Sequence, residues 1–365
     1  MTPRHGLVIG KFYPPHAGHH LLVRTAAACC ERVTVVVMAA TAESIPLALR
    51  VEWLREVHRD APHVAVVGTM DDHPVDLESD AVWRAHVGLM QAAAAQVTPA
   101  PVDAVFTSEG YGDELARRLG ARHVQVDADR RLAPISATRV RADPVSAWPF
   151  LAEPVRGWFA RRLVVVGAES TGKTTFAEAL CEALRARGGP HGLTRWVPEY
   201  GRELTVELLA RERARAQLAG RPRPRLEDLP WATPDFLRVA EEQSRREARE
   251  ACRGGPVLVC DTDAFATGLW HERYVGARSP EVDGLARRGD LYLLTDPADV
   301  PFEDDGLRDG QHLRDWMTAA FVERLEATGR RWRWLRGGRA ERVAAGLAAV
   351  DGLLAAGWAL AKPLG

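Results

Sequence analysis

Two stretches of the chain share one pattern: a β-branched apolar run, a turn of glycine and small residues, then apolar positions at helical spacing. The first runs from Leu7-Val8-Ile9 through Gly10 into a helix beginning near Gly18. The second runs from Leu163-Val164-Val165-Val166 through Gly167 into a helix beginning near Lys173. Each reads as the opening βα unit of a parallel sheet. After the first, apolar runs at 33–38, 64–68, 102–107 and 123–126 alternate with helical patterns such as 47–60 and 81–96. After the second, runs near 193–197, 257–261 and 291–295 alternate with helical patterns at 174–187, 235–252 and 314–328, and an Ala/Leu-rich closing helix is expected within 339–360. The alternation predicts the α/β class, with two doubly wound parallel-sheet domains. Pro144, Pro149 and Pro154 punctuate the segment between them, which places the boundary near 150 and the domains at 1–150 and 151–365. The arginine-rich stretch 211–229, broken by Gly220, Pro222 and Pro224, reads as a solvated surface excursion.

Charge and composition narrow the class. Lys and Arg number 48 against 49 Asp and Glu, a net charge of −1, with 46% hydrophobic residues over 365. That balance fits two ordinary cores, and argues against a disordered tail protein or a nucleic-acid-coating surface. The longest apolar run is too short to span a bilayer, and the start, MTPRHG into LVIGKF, lacks the apolar core of a secretion signal. A cytoplasmic protein with no membrane partner is expected. Cys29, Cys30, Cys181, Cys252 and Cys260 form no CxxC pair and no zinc-spaced cluster, so they read as small buried apolar residues.

Candidate chemistry gathers after both opening strands. In the first, Gly10-Lys11-Phe12-Tyr13-Pro14-Pro15-His16-Ala17-Gly18-His19 sets a lysine and two histidines on a strand-to-helix turn, where backbone amides and the helix dipole attract anions. His16 and His19, three apart on the first turn, can face one phosphate. Far downstream, Ile135-Ser136-Ala137-Thr138-Arg139-Val140-Arg141 offers Ser136 and Thr138 as caps of a second anion-binding helix, and Arg141 as a fork for a leaving pyrophosphate. Gly10, Phe12 and Gly18 complete the nucleotide-binding turn.

In the second, Gly167-Ala168-Glu169-Ser170-Thr171-Gly172-Lys173-Thr174 fits G-x-x-x-x-G-K-[ST] between a strand and a helix. Such a P-loop wraps phosphates with its amides; Lys173 reaches the outer oxygens and Thr174 ligates magnesium, with Thr175 following on the helix. The run at 257–261 ends in Asp261-Thr262-Asp263. One carboxylate can hold the magnesium shell and the other can orient or accept the proton of a substrate hydroxyl, with no ranking between them. Asp304-Asp305-Gly306-Leu307-Arg308 and Arg314 lie in a polar segment suited to a lid, where Arg308 and Arg314 could close over the transferring group.

The first motif pair resembles the nucleotidyltransferase superfamily, whose members carry HxGH and ISxTxxR. Within it, the strings at 45–54, 71–87 and 106–120 resemble the nicotinamide-mononucleotide adenylyltransferase domain of NadR-type bifunctional enzymes. GAESTGKTT, VPEYGRE (197–203), WATPDFLRVAEEQ (231–243), DTD and the segment 299–310 are similar to the ribosylnicotinamide kinase domain of the same family. The resemblance implies a Rossmann-like nucleotidyltransferase domain followed by a P-loop kinase domain, with ATP and Mg2+ as cofactors. It implies attack of a mononucleotide phosphate on the α-phosphorus of ATP at Lys11, His16, His19 and Arg141, with Trp53 and Trp83 as candidates to stack on the nicotinamide ring. At the second site it implies Glu199, Tyr200, Asp261, Asp263 and Trp270 around the nucleoside. The partners would be nicotinamide riboside, the mononucleotide and ATP, and whether the chain acts as a homo-oligomer stays open. Too few residues precede the first strand for a helix-turn-helix segment, so neither a nucleic-acid partner nor a repressor role is expected. Two alternatives keep the motifs: a fused transferase and kinase acting on another vitamin-derived substrate, and a nucleotide-sensing regulator without turnover.

Overall fold

The computed structural model describes residues 2–298, 300–302 and 311–364. It falls into two compact units, residues 1–155 with 358–365, and residues 156–357. The expected boundary near 150 assigned everything beyond it to the second domain; the tail from Trp358 instead belongs with the first unit.

The first unit carries β1 (His5–Gly10), α1 (Ala17–Cys29), β2 (Arg32–Ala39), α2 (Leu47–Val57), β3 (Val64–Met70), α3 (Asp80–Ala95), β4 (Ala104–Thr107), α4 (Gly112–Leu119), β5 (Arg122–Gln125) and α5 (Ala137–Ala142). Its sheet has the order β3-β2-β1-β4-β5 with every pair parallel. Successive residues of β1 and β2 bury on opposite faces. Val8, Val35 and Val37 pack with Leu22, Val23 and Leu54, whereas Leu7, Val36 and Met38 pack with Trp83, Val87, Met90 and Leu115. Helices on both faces explain why β2 is buried without alternation from Val33 to Ala39. The strand order reverses at β1 and β4, so their carboxyl ends flank the crevice where such folds place a ligand.

Helix α6 (Glu153–Phe159) spans the division. The second unit continues with β6 (Arg161–Val166), α7 (Lys173–Arg185), β7 (Arg195–Val197), α8 (Tyr200–Leu218), α9 (Thr233–Arg253), β8 (Val257–Asp261), α10 (Ala264–Val275), α11 (Pro280–Gly284), β9 (Leu291–Thr295), α12 (Arg314–Ala327), β10 (Trp332–Leu335) and α13 (Arg339–Ala355). The sheet order is β10-β9-β6-β8-β7, again all parallel. Leu163 and Val165 on β6 meet Phe176, Leu180 and Leu184 of α7 and Val350 and Leu353 of α13 in the core.

The doubly wound α/β reading holds, and three local expectations change. Helix α8 runs through the first part of the arginine-rich stretch, with Leu204, Leu208, Leu209 and Ala216 buried while Arg211 and Arg215 stay exposed. Helix α10 escaped the periodicity argument because Ala264 through Leu269 are all buried. Cys29 is exposed, so the buried-apolar reading fails for it, whereas Cys30, Cys181 and Cys260 are buried. Among the described residues, no helix is long and apolar enough to cross a membrane.

Candidate active sites

In the first unit, His16 caps α1. Its Nδ1 accepts from the Gly18 amide at 3.2 Å, and its own amide donates to His19 Nδ1 at 3.3 Å. The two imidazoles stack with centroids 3.7 Å apart and planes at 24°, and Phe12 meets His19 edge-on at 4.9 Å. A side chain at Gly18 would lie 3.1 Å from the His16 ring, which explains the glycine. Burial pushes His16 down to about 4 and His19 well below the usual histidine range, with Arg130 lowering both further. Both rings are therefore neutral near pH 7, each with one ring N–H to donate.

Arg141 donates 2.6 Å to the Tyr13 carbonyl and 3.1 Å to Thr138 Oγ1, while Ser136 caps α5 by accepting from the Arg139 amide. Lys11 lies 3.8 Å from Glu43 and donates to the Leu364 carbonyl; burial lowers its pKa. The hub beneath is Arg50, fully buried, 2.6 Å from Glu43 and donating to the carbonyls of Lys11 and Ile45. Its guanidinium stacks 4.5 Å from the Tyr13 ring, and that of Arg141 lies 5.2 Å from the same ring. The Tyr13 hydroxyl donates to the Ala361 carbonyl, and the Ala361 amide donates to Ser44 Oγ, so the tail runs across the mouth of this turn. Sequence reading missed Glu43 and Arg50, because charged residues are assigned to surfaces by default, and it gave Tyr13 no role within the motif.

Trp53 and Trp83 are 3% and 6% exposed. Trp83 belongs to the apolar cluster on one face of the sheet, donates to the Leu77 carbonyl and carries Arg118 over its ring. Both rings are therefore buried within the first unit.

The second unit's loop is shaped by backbone that side chains resist. Gly167 has φ +148°, and a Cβ there would lie 2.1 Å from Thr295 Oγ1; Gly172 sits at φ +80° just ahead of α7. Thr171 Oγ1 lies 2.6 Å from Thr295 Oγ1 and donates to the Ala168 carbonyl, where Lys173 also donates at 2.8 Å. Two arginines brace the loop from outside. Arg342 donates to the carbonyls of Thr171, Gly337 and Asp296, and Arg314 to those of Ser170, Pro297 and Val300. Arg314 thus supports the loop's backbone at Ser170. Arg308 lies outside the described residues.

A cavity of about 410 Å³ opens beside this loop. Glu169, Ser170, Thr171, Gly172, Lys173, Thr174 and Thr175 form its floor; Glu199 and Arg202 stand at one side, and Trp231, Phe236, Trp270 and Tyr274 make an aromatic wall. Trp231 lies 5.6 Å from Tyr274, and Trp270 6.4 Å from Tyr274, centroid to centroid. Thr174 donates a 2.5 Å bond to Asp261 Oδ2, and Asp261 Oδ1 is buried without a hydrogen-bond partner. A hydroxyl beside a carboxylate with an unused oxygen suits Mg2+. Burial raises the Glu199 carboxyl to about 6, against the lowering effect of Lys173.

The two carboxylates that the sequence left unranked differ in position. Asp261 meets Thr174, whereas Asp263 caps α10 by accepting from the Ala266 amide and takes the Tyr292 hydroxyl at 2.7 Å; neither carboxylate is among the residues lining the cavity. Tyr200 also turns away, its ring 4.5 Å from the Arg246 guanidinium. Sequence reading singled out neither Arg202 nor Tyr274, and it noted Trp231 and Phe236 only inside a longer string; Trp270 and Tyr274, one helical turn apart, were the available signal.

Fold and loops together define a Rossmann-like unit bearing nucleotidyltransferase signatures, followed by a P-loop nucleotide-binding unit. A family described as an AAA domain matches residues 162–342. The "Trifunctional NAD biosynthesis/regulator protein NadR" of Escherichia coli (strain K12) is 23% identical over 83% of this chain and 71% of its own length. That of Salmonella typhimurium is also 23% identical, over the same shares. A crystal structure of a NadR protein in complex with NR matches at TM-score 0.70 and 22% identity, covering 96% of both chains. Another, with NAD and AMP-PNP, matches at TM-score 0.70 and 20% identity, covering 97% of this chain and 96% of the other. By sequence and by fold the chain is thus similar to the NadR-type proteins.

Proposed function

We propose that the chain is a two-site enzyme of NAD synthesis. Its second unit phosphorylates nicotinamide riboside with ATP, and its first unit joins the resulting mononucleotide to the adenylyl group of a second ATP, releasing pyrophosphate. The observation that carries the reading is the aromatic wall of Trp231, Trp270 and Tyr274 facing the P-loop and two acids in one cavity. Aromatic faces and carboxylates together favour a cationic ring such as nicotinamide riboside carries. The names of the relatives, and the ligands of the solved structures, point the same way.

At the second site Lys173 and the loop amides would hold the donor phosphates, and Thr174 and Asp261 would hold Mg2+, which neutralises phosphate charge when bound. Glu199 suits the proton acceptor for the riboside hydroxyl: it lines the cavity, and its pKa of about 6 lies close to working pH. Asp261 is already engaged by Thr174.

At the first site the nucleophile is a phosphate oxygen, anionic without help, so no base is needed. Neutral His16 and His19 would donate hydrogen bonds as negative charge builds on the α-phosphoryl oxygens, and Lys11 and Arg141 would supply fixed charge. Lys11 would exchange its tail carbonyl partner for a phosphate oxygen.

The test gives the purified chain ATP and Mg2+ with nicotinamide riboside, nicotinamide mononucleotide or other vitamin-derived acceptors, and separates products by chromatography. NAD from the first two, with mononucleotide as the intermediate from the riboside, is expected. Turnover only of another acceptor, or nucleotide binding with no product, overturns the reading.

A further inference from the structure

Arg273 lies outside every motif, yet it touches both halves of the second site. From α10 its guanidinium reaches Glu169 Oε1 at 3.0 Å, with the two side chains 4% and 11% exposed. The same guanidinium carbon sits 4.7 Å from the Tyr274 ring centroid and 5.2 Å from that of Trp270. Glu169 stands in the loop between Ala168, whose carbonyl takes Lys173, and Ser170, whose carbonyl takes Arg314. Ser170 is itself held at φ 55°, a conformation that depends on its neighbours. A line of contacts therefore runs from the phosphate loop through Glu169 and Arg273 to the rings of the aromatic wall.

We propose that the Glu169–Arg273 pair couples the two ligands of this site, so that a cationic ring on the aromatic wall and a nucleoside triphosphate on the loop each tighten the other's binding. The inference rests on the kinase reading above. Its physical basis is the sharing of one guanidinium. A second cation brought to Trp270 and Tyr274 repels the Arg273 guanidinium from the ring faces toward Glu169, in a place where little water screens the pair. A carboxylate held more firmly there fixes the loop in the shape that cradles phosphates. Only a planar fork can stack on rings and grip a carboxylate at once, which separates arginine from lysine at this position. Arg273 acts through Glu169 and the rings, as a positioning residue.

Coupling is read apart from either affinity. The full chain is titrated calorimetrically with AMP-PNP, with and without saturating nicotinamide riboside. The riboside is expected to lower the Kd of the analogue at least about fivefold, with the reciprocal effect of equal size. Arg273→Met should bring that factor to within about twofold of one, and Arg273→Lys to an intermediate value, each leaving the Kd of the analogue alone within about threefold. Wild-type coupling retained in Arg273→Met, or two ligands binding independently to the wild type, overturns the proposal. If Arg273→Met does not fold, full coupling in Arg273→Lys overturns it and reduced coupling supports it. A wild type that binds no riboside overturns the kinase reading itself, and is told apart from independent binding of both ligands.

Discussion

Thr174 Oγ1 and Asp261 Oδ2 lie 2.5 Å apart, joining the first turn of α7 to the carboxyl end of β8. The bond fixes a hydroxyl and a carboxylate where donor phosphates would enter, and it leaves Asp261 Oδ1 unengaged. Asp261→Asn keeps the shape and removes the charge. We expect riboside phosphorylation to slow by on the order of a hundredfold or more, with Thr174→Ser retaining most of the rate. Steady-state kinetics check this, and an Asp261→Asn enzyme of near-normal rate would remove Asp261 from the machinery.

The aromatic wall makes a prediction about ligand charge. A stacked cation gains about 0.5–2 kcal/mol over a neutral ring, or roughly 2- to 30-fold in affinity. Trp231→Leu should therefore weaken nicotinamide riboside more than a neutral nucleoside of similar size. Equal weakening of both would mean that the wall contributes only contact area.

In the first unit, Arg50 and Glu43 form an ion pair with both side chains fully buried. Removing one member of such a pair costs about 3–5 kcal/mol, because it strands the other charge, whereas replacing both by apolar residues costs far less. Arg50→Met should destabilise the first unit by that amount and release Tyr13 and the Lys11 carbonyl. The double variant Glu43→Leu/Arg50→Met should recover much of the loss in denaturant unfolding. Additive losses would contradict this account.

Glu247, 5% exposed, has its carboxyl held above the ordinary carboxylate value of 4.5 by burial and then by nearby Asp263. The folded chain keeps a proton that the unfolded chain releases above about pH 4.5, so this stabilisation is full at low pH and is lost as pH rises. Glu247→Gln keeps an acceptor for the Gln243 amide and has no proton to lose. Its Tm should therefore gain on the wild type steadily from pH 5 to pH 8.5, whereas parallel curves would contradict the assignment.

What could be read from sequence was what repeats a local rule. Both opening loops follow an unmistakable apolar strand and carry their chemistry within ten residues, so Lys11, His16, His19, Lys173 and Thr174 were legible. Asp261 and Asp263 were not separable: Asp263 is a helix cap, and α10, whose first six residues are all buried, gives no amphipathic period to mark where a cap belongs. Trp53 and Trp83 sit at helical positions where a core ring and a binding ring look alike. Glu43, Arg50 and Arg273 act as buried charges, which pattern reading assigns to the surface until the fold supplies their partners.

The central claim is two independent sites on one chain, and paired variants test it most directly. Lys173→Ala serves only the second site and His19→Ala only the first. Each folded variant receives ATP and Mg2+ with the riboside or the mononucleotide. Lys173→Ala should make no mononucleotide from the riboside and still make NAD from supplied mononucleotide; His19→Ala should turn riboside into mononucleotide and stop there. Loss of both activities in either folded variant would contradict the two-site account.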